Sequence, residues 1–169
     1  MNVKTTKAQL EQIVREWREA FDNIPDFVSI HDLNYKIIRA NRALSDALKM
    51  KPQDVIGKRC YELFHKSHAP CTHCPHQRTI ESRVMSREEF YEPVFDHYLE
   101  VITAPIFDEY GQLTGSIHIA RNITQRKLME VNLKSNEERL DLALKGTQEG
   151  VWDWNLETNA VWFSPRYKG

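Results

Sequence analysis

The spacing of apolar residues predicts an amphipathic helix near the start of the chain. Over residues 8–21 the apolar positions recur at intervals of three and four, which places them on one face of a helix. Pro25 disfavours helical geometry at Ile24, so this helix ends near residue 22. The apolar stripe consists of Leu10, Ile13, Val14, Trp17 and Phe21.

The middle of the chain predicts strands interrupted by a block of short helices. Asn41 is a typical helix N-cap residue, and Pro52 suits the first turn of another helix. Further helical turns are expected near residues 61–64 and 77–83. Five strands are expected, over residues 27–30, 35–38, 90–94, 98–107 and 113–119. Because the helices lie between the second and third strands, the pattern indicates an α+β fold with an antiparallel sheet.

The last part of the chain predicts a long helix followed by a hairpin. The sequence is helical from Thr124, and a short heptad seam runs through Met129, Leu133, Asn136, Leu140 and Ala143. Residues 151–163 then have the pattern of a strand, a turn and a strand. A lone hairpin is only marginally stable in water. It therefore packs on the rest of the chain, pairs with another copy, or belongs to a larger unit.

Composition and charge favour a protein that binds neither nucleic acid nor membrane. Of the 169 residues, 41% are apolar and 28% are charged, with a net charge of −1, which is typical of a soluble globular protein. No run approaches the roughly 20 apolar residues of a membrane span, and no signal-peptide core is present. We therefore expect a cytoplasmic location. We expect no enzyme, since no Ser-His-Asp, P-loop or H-E-x-x-H pattern occurs.

Four stretches, in this order, resemble motifs of the PAS fold. Residues 26–41 are similar to its opening hairpin and the Asn that begins the next helix, and D-V-I-G-K at 54–58 resembles a second motif. Residues 104–115 resemble the turn into the last strand. R-N-I-T at 121–124 resembles the closing R-D-I-T, with Asn122 in place of the usual Asp. The resemblance implies a five-stranded antiparallel sheet, short helices between strands two and three, and flanking N-terminal and C-terminal helices.

The tail resembles the opening of a PAS domain a second time. Residues 135–163 include an E-R-L…A-L…G-x-W-D-W pattern. We therefore predict an N-terminal amphipathic helix at 1–22, a PAS domain at 23–125, a signalling helix at 126–144 and the incomplete start of a second PAS domain at 145–169. In proteins of this kind, PAS arrays precede histidine kinase, diguanylate cyclase or related output domains. The resemblance implies such a downstream domain in the same protein.

One cluster of residues predicts a metal site in the loop before the third strand. Cys60, His65, Cys71 and Cys74 have the spacing C-x4-H-x5-C-x2-C. A C-x2-C step suits two thiolates on one tetrahedral ion, and Cys3His is a normal set of ligands for structural zinc. The pattern also resembles a Cys-rich loop found in a subset of PAS domains. Rival ligands are His68, His73 and His76.

Other interpretations of this loop remain open at the level of sequence. Cys71 and Cys74 have a redox spacing, and Cys60 has the pattern of a buried, inert thiol. No sequence feature identifies a cofactor or a small-molecule ligand. The acidic residues Glu88, Glu89 and Glu92 are expected to form a solvated strand face, while no role is predicted for His31, His97 and His118.

Two functions compete. In the first, a ligand, a metal or a redox change acts on the PAS core or the Cys loop, and the signal passes into the helix that begins at Thr124. In the second, the domain binds no ligand and serves as a dimerisation or docking module, with the stripe on the first helix as its main surface. Both interpretations predict a homodimer formed through the flanking helices.

Overall fold

A computed structural model describes residues 6–72, 74–146 and 152–164. The chain divides into two compact units, residues 1–124 and 125–169. The first unit contains α1 (Lys7–Asp22), β1 (Phe27–Asp32), β2 (Ile37–Ala40), α2 (Arg42–Ala47), α3 (Pro52–Val55), α4 (Cys60–Phe64), α5 (Pro75–Ser82), β3 (Ser86–Glu92), β4 (His97–Phe107) and β5 (Leu113–Asn122). The elements that follow are α6 (Thr124–Gly146), β6 (Trp152–Asn155) and β7 (Ala160–Phe163).

The first unit is built on a five-stranded antiparallel sheet with the order β2-β1-β5-β4-β3. The four short helices α2 to α5 lie between β2 and β3 in the chain. This arrangement confirms the predicted α+β fold class. Since β1 pairs with β5, the first and last strands of the unit are neighbours, and residues far apart in sequence share one face of the sheet.

Helix α1 forms because its N-terminus is capped and its C-terminal end packs on the sheet unit. Thr6 and Gln9 form a capping box, which satisfies two of the free amides of the first turn. At the other end Phe21 is buried and stacks on Trp17, and the Arg39 guanidinium lies over the Trp17 ring. The rest of the predicted apolar stripe, Leu10, Ile13 and Val14, is exposed.

A single buried side chain joins the start of the sheet to the helical block. The Asn41 side-chain oxygen accepts hydrogen bonds from the backbone N–H groups of Val28 (3.0 Å) and Leu44 (3.1 Å). Its amide nitrogen donates to the carbonyls of Ile24 (3.0 Å) and Asp26 (2.9 Å). Asn41 therefore caps α2, as the sequence predicts, and also fixes the chain entering β1.

Two strands begin more than one residue away from the predicted position. The second strand begins at Ile37 rather than at residue 35, because Tyr35 has a positive φ of 66° and belongs to the preceding turn. The third strand begins at Ser86 rather than at residue 90. The prediction missed residues 86–89 because glutamates have low strand propensity. In the structure Glu88 pairs with Arg78, and the backbone of β4 pairs with this part of β3.

The second unit contains α6 and the predicted hairpin. β6 pairs with β7, and the Asn155 side chain accepts hydrogen bonds from the turn amides of Glu157 and Thr158. Along α6, Met129, Leu133 and Leu140 of the predicted seam are exposed. Val151 and His73, which the sequence analysis names, lie outside the described residues. No described helix combines the length and apolarity that a membrane crossing needs.

Replacing Asn41 with Ala should destabilise the first unit by about 2–4 kcal/mol, since it removes a helix cap and leaves buried backbone groups without partners. Urea unfolding followed by circular dichroism measures this change. Asn34→Ala, in an exposed turn, is the matched control and should change the free energy of unfolding by less than about 0.5 kcal/mol. Equal effects of the two substitutions would contradict the role given to Asn41.

Candidate functional site

The interior of the sheet unit is polar where β1 meets β5. Each of these strands carries the tripeptide Ser-Ile-His, at residues 29–31 and 116–118. The antiparallel register pairs Ser29 with His118 and His31 with Ser116. All four side chains are buried, whereas Ile30 and Ile117 on the opposite face are partly exposed. Ser116 and His118 alternate with Ile117 and Ile119 along β5, and the polar face of the strand is the one that faces the interior.

This pairing depends on a glycine. A Cβ atom at Gly115 would lie 2.0 Å from the carbonyl oxygen of His31, which no side chain tolerates. The backbone of β5 can approach β1 closely only because position 115 carries no side chain.

Helix α5 places a third histidine against the two strands. Pro75 occupies the first turn of the helix, and His76 follows it with no exposed surface. Two hydroxyls dock the helix on β4. The Thr79 and Thr103 Oγ1 atoms are 2.5 Å apart, and Thr103 Oγ1 donates to the Pro75 carbonyl at 3.0 Å.

The three imidazole rings and two serine hydroxyls form one cluster. Ser116 Oγ lies 2.7 Å from His76 Nδ1 and 3.0 Å from His118 Nε2, and these two nitrogens are 3.1 Å apart. The centroids of the His31 and His118 rings are 3.8 Å apart, and Ser29 Oγ lies 2.8 Å from His31 Nε2. One nitrogen from each of the three rings lies within 4.8 Å of the other two.

Burial keeps the three rings neutral. Desolvation, reinforced by the nearby His76 ring, lowers the pKa of His31 to about 3. Desolvation also lowers the pKa of His76 to about 4, although the backbone and the carboxylate of Asp32 act in the opposite direction. The pKa of His118 is lowered well below its ordinary value by burial and by the other two rings. At neutral pH each ring therefore has one nitrogen lone pair available.

Hydrogen bonds do not satisfy the whole cluster. His31 Nδ1 and His76 Nε2 are buried without a hydrogen-bond partner. Buried polar atoms without a partner are rare in folded proteins, because each one loses its interaction with water and gains nothing in return. An ion or a small polar molecule at the cluster would supply the missing interaction. Neutral imidazole nitrogens are also good ligands for transition metals.

The four predicted metal ligands lie within and beside the loop that joins α4 to α5. Cys60 begins α4 and is buried, Cys74 directly precedes α5 and is buried, and Cys71 is partly exposed. Burial, and then the neighbouring Cys74 thiol, raise the pKa of Cys60 to about 12. His65 contacts a carboxylate on β3, with His65 Nδ1 2.5 Å from Glu92 Oε2.

These four residues do not form a ready-made ligand set in this structure. Within the described residues, the only group of three or more potential ligand atoms lying within 4.8 Å of one another is His31, His76 and His118. The Cys3His site remains a prediction. Of the predicted and rival ligands that the structure describes, only His76 belongs to the histidine group.

One sequence interpretation is wrong. Glu92 was expected on a solvated face, but it is buried, and its carboxylate contacts His65 and accepts from the Val94 amide. It lies on the same side of β3 as Ser86 and Phe90, and this period of two is the signal that would have placed it inside. His31 and His118, for which the sequence predicts no role, lie together in the cluster. The repeated Ser-Ile-His in the first and last strands is the signal that could have found them.

Comparison with known proteins agrees with this architecture. The sequence profile of the PAS fold matches residues 21–128, which is more than half of the chain. The chain belongs to the PAS family.

Solved PAS domains share the fold with this one. The PAS domain of BvgS from Bordetella pertussis is 20% identical, with a TM-score of 0.55, over 77% of this chain and 99% of that one. A PAS domain from Colwellia psychrerythraea is 21% identical, with a TM-score of 0.52, over 67% of this chain and 98% of that one. The VqmA dimer of Vibrio cholerae is 23% identical, with a TM-score of 0.52, over 72% and 56% of the two chains.

A signalling protein contains a related segment. Hybrid signal transduction histidine kinase A of Dictyostelium discoideum is 40% identical over 47 residues, which is 28% of this chain. The matching segment spans only 2% of the length of that kinase.

A small cavity adjoins the histidine cluster of the PAS domain. It has a volume of about 50 Å³ and is lined by residues that include Ser29, His118, Cys60 and Cys74. A space of this size holds about one or two water molecules. Sites for drug-sized ligands are roughly 300 Å³ or larger, so the cavity suits an ion or a very small molecule better than an organic cofactor.

The neutral histidines predict a loss of stability in mild acid. Their pKa values are lower in the folded chain than the 6.5 of an ordinary histidine, so the unfolded chain binds more protons as the pH falls below 6.5. In chelator-treated protein, the free energy of unfolding should be greatest above pH 6.5 and should fall between pH 6.5 and 5. Each histidine contributes up to about 1.4 kcal/mol per pH unit.

Urea titrations at a series of pH values measure this slope. His118→Gln should make the slope shallower, because one depressed pKa is removed. His97→Gln, at the start of β4 and outside the cluster, should leave it unchanged. A wild-type protein with no loss of stability between pH 7 and 5 would contradict the neutral, buried state of the rings.

Proposed function

We propose that this PAS domain is the sensory part of a bacterial signal-transduction protein and that it relays a metal, a small ligand or a redox state into α6. The observation that carries the proposal is the buried cluster of three neutral histidines. Burying polar groups costs stability unless each is fully paired, and here two ring nitrogens have no partner. A domain that serves only as a scaffold gains nothing from this arrangement, whereas a binding site uses it.

The connection from the sheet to α6 supports the relay. Ile123, which links β5 to α6, is buried, and its N–H donates to the Tyr98 carbonyl on β4 at 2.8 Å. The Tyr98 N–H donates in turn to Thr124 Oγ1 at 3.0 Å. Thr124 is the first residue of α6, and its own N–H donates to Asn122 Oδ1 at 2.9 Å. These bonds support a relay in which a shift of β4 or β5 reaches Thr124, the first residue of the helix.

Exposed apolar positions support a homodimer formed through the flanking helices. On α1, Leu10, Ile13 and Val14 are exposed, and on α6 so are Met129, Leu133 and Leu140. A second copy of the chain presents the same stripes and would bury them, and the heptad spacing on α6 suits a parallel pair of helices.

The alternative function, a docking module without a ligand, rests on the α1 stripe alone. It accounts for the exposed Leu10, Ile13 and Val14 and gives no reason for the histidine cluster. The α1 stripe fits both functions, so the sensory proposal accounts for more of the structure.

The other domains of the whole protein are proposed from its similarity to known proteins. The similarity to a hybrid histidine kinase supports an output domain of the kinase or cyclase type downstream of α6. The β6–β7 hairpin is proposed to begin a second PAS domain. One VqmA structure is described as bound to DPO, so a protein of this fold does take up another molecule. The loop of Cys60, His65, Cys71 and Cys74 is proposed as a second place for metal or redox input.

Hydrogen exchange measured by mass spectrometry tests the relay in the full chain. The inputs are zinc ions added to chelator-treated protein and hydrogen peroxide added to reduced protein. At least one of them should change exchange in residues 98 and 123–130. Thr124→Val removes the acceptor of the Tyr98 amide and should speed exchange of that amide by about 5–10-fold, corresponding to roughly 1 kcal/mol. It should also weaken the response to the input.

Thr114→Val is the matched control for this experiment. Thr114 is an exposed residue of β5 whose hydroxyl donates to the Ile106 carbonyl, away from the junction. This substitution should leave the response in α6 intact. If neither input changes exchange near Thr124, the sensory proposal fails and the docking module is favoured.

The solution mass tests the dimer. Sedimentation equilibrium should give twice the chain mass, and Ile13→Glu should weaken the dimer at least tenfold, because it places a charge in the apolar stripe. Gln12→Glu adds the same charge outside the stripe and should leave the dimer unchanged. A monomeric wild-type chain, or equal effects of the two variants, would contradict a role for α1 in association.

A further inference from the structure

We propose that His31, His76 and His118 form a binding site for a divalent transition metal, with zinc as the reference ion. This inference rests on the proposed sensory function, which it deepens by naming the input. It places the ion between β1, β5 and α5, in the interior of the PAS domain. It differs from the predicted cysteine site in its ligands, in its elements and in its chemistry.

The separation of the donor atoms fits one ion. Zinc binds histidine nitrogen at about 2.0–2.1 Å, so two nitrogens on one tetrahedral ion stand roughly 3.3 Å apart. His76 Nδ1 and His118 Nε2 are already 3.1 Å apart. One nitrogen of His31 completes a group whose members all lie within 4.8 Å. Small movements of side chains would bring all three onto an ion without a change of fold.

A hydrogen-bond network accounts for only part of the cluster. Ser116 Oγ can bond to His76 Nδ1 and His118 Nε2, so these two nitrogens have partners without metal. His76 Nε2 and His31 Nδ1 are buried with no partner, and His31 Nε2 is held by Ser29. The serine contact resembles the outer hydrogen bond that orients a metal-bound histidine and sets its tautomer.

The chemistry of the three imidazole ligands indicates which class of ion the site would bind. Three neutral imidazoles suit zinc, cobalt, nickel or copper, whereas calcium and magnesium prefer oxygen ligands. Three protein ligands leave one position open, and the cavity beside His118 has room for a water molecule or another small ligand. The ion would therefore remain able to exchange a ligand, as a sensing site requires.

Metal binding by the full, reduced and chelator-treated chain tests the site. Zinc should bind at about one ion per chain and should raise the unfolding temperature, because the ion binds the folded state. His31→Gln and His118→Gln should each weaken binding by at least about 100-fold, and zinc should no longer raise their unfolding temperature. His97→Gln is the matched control, since it removes a histidine outside the cluster, and it should bind as the wild type does.

Cobalt distinguishes the histidine cluster from the cysteine loop. At the histidine cluster it should give visible ligand-field bands without a thiolate-to-metal charge-transfer band, and Cys71→Ser should change neither the spectrum nor the affinity. A charge-transfer band that Cys71→Ser removes and His118→Gln retains would place the ion on the cysteines and overturn the proposal. A folded wild-type chain that binds no zinc or cobalt would also overturn it.

Two further measurements keep the outcomes separate. If His118→Gln does not fold, His118→Cys supplies a different ligand at the same position. It should bind cobalt with a new charge-transfer band, which a purely structural histidine would not produce, and absence of this band in folded protein counts against the site. If zinc binds at the histidines but exchange near Thr124 stays the same, the site stands and its role as the sensory input fails.

Discussion

The pairing of β1 with β5 is the constraint on which the rest of the structure depends. It joins the first and last strands of the unit, which are about 80 residues apart in sequence, so forming it requires closing a long loop. The close approach at Gly115, opposite the His31 carbonyl, fixes the register. A slip of one residue would turn every side chain of β5 to the other face. Ser116 and His118 would then leave the interior, and the two isoleucines beside them would enter it.

This register places polar side chains at the centre of the core. Hydrogen bonds and apolar packing elsewhere in the unit offset the cost of burying them. Thr79 and Thr103 hold α5 on β4 through their hydroxyls, and Asn41 satisfies backbone groups at the start of β1. Apolar burial is supplied next to the cluster, where Ile37, Val55 and Tyr61 pack together. The cluster therefore lies among polar groups that are largely paired, whereas two of its own ring nitrogens have no partner.

Periodicity was enough to predict most of the fold. The helical spacing of α1, the cap at Asn41 and the β-rich runs of β4 and β5 are local signals, and the structure contains the helix, the cap and both strands. The site depends on contacts between distant segments, which local signals do not contain. Ser-Ile-His looks like an ordinary half-buried strand at each occurrence, and only the strand order brings the two copies together. The spacing of the cysteines, by contrast, is a local pattern, so the sequence alone was enough to predict a site in that loop.

The histidine cluster and the cysteine loop are nevertheless mechanically connected. Cys74 is the residue before α5, and His76 is the second residue of that helix. Any chemical change that moves Cys74 must move the start of α5, and the contacts of Thr103 with Pro75 and Thr79 pass that movement to β4. β4 is also the strand that holds Ile123 and Thr124 through Tyr98. The histidine cluster and the cysteine loop are therefore both linked to β4 through α5.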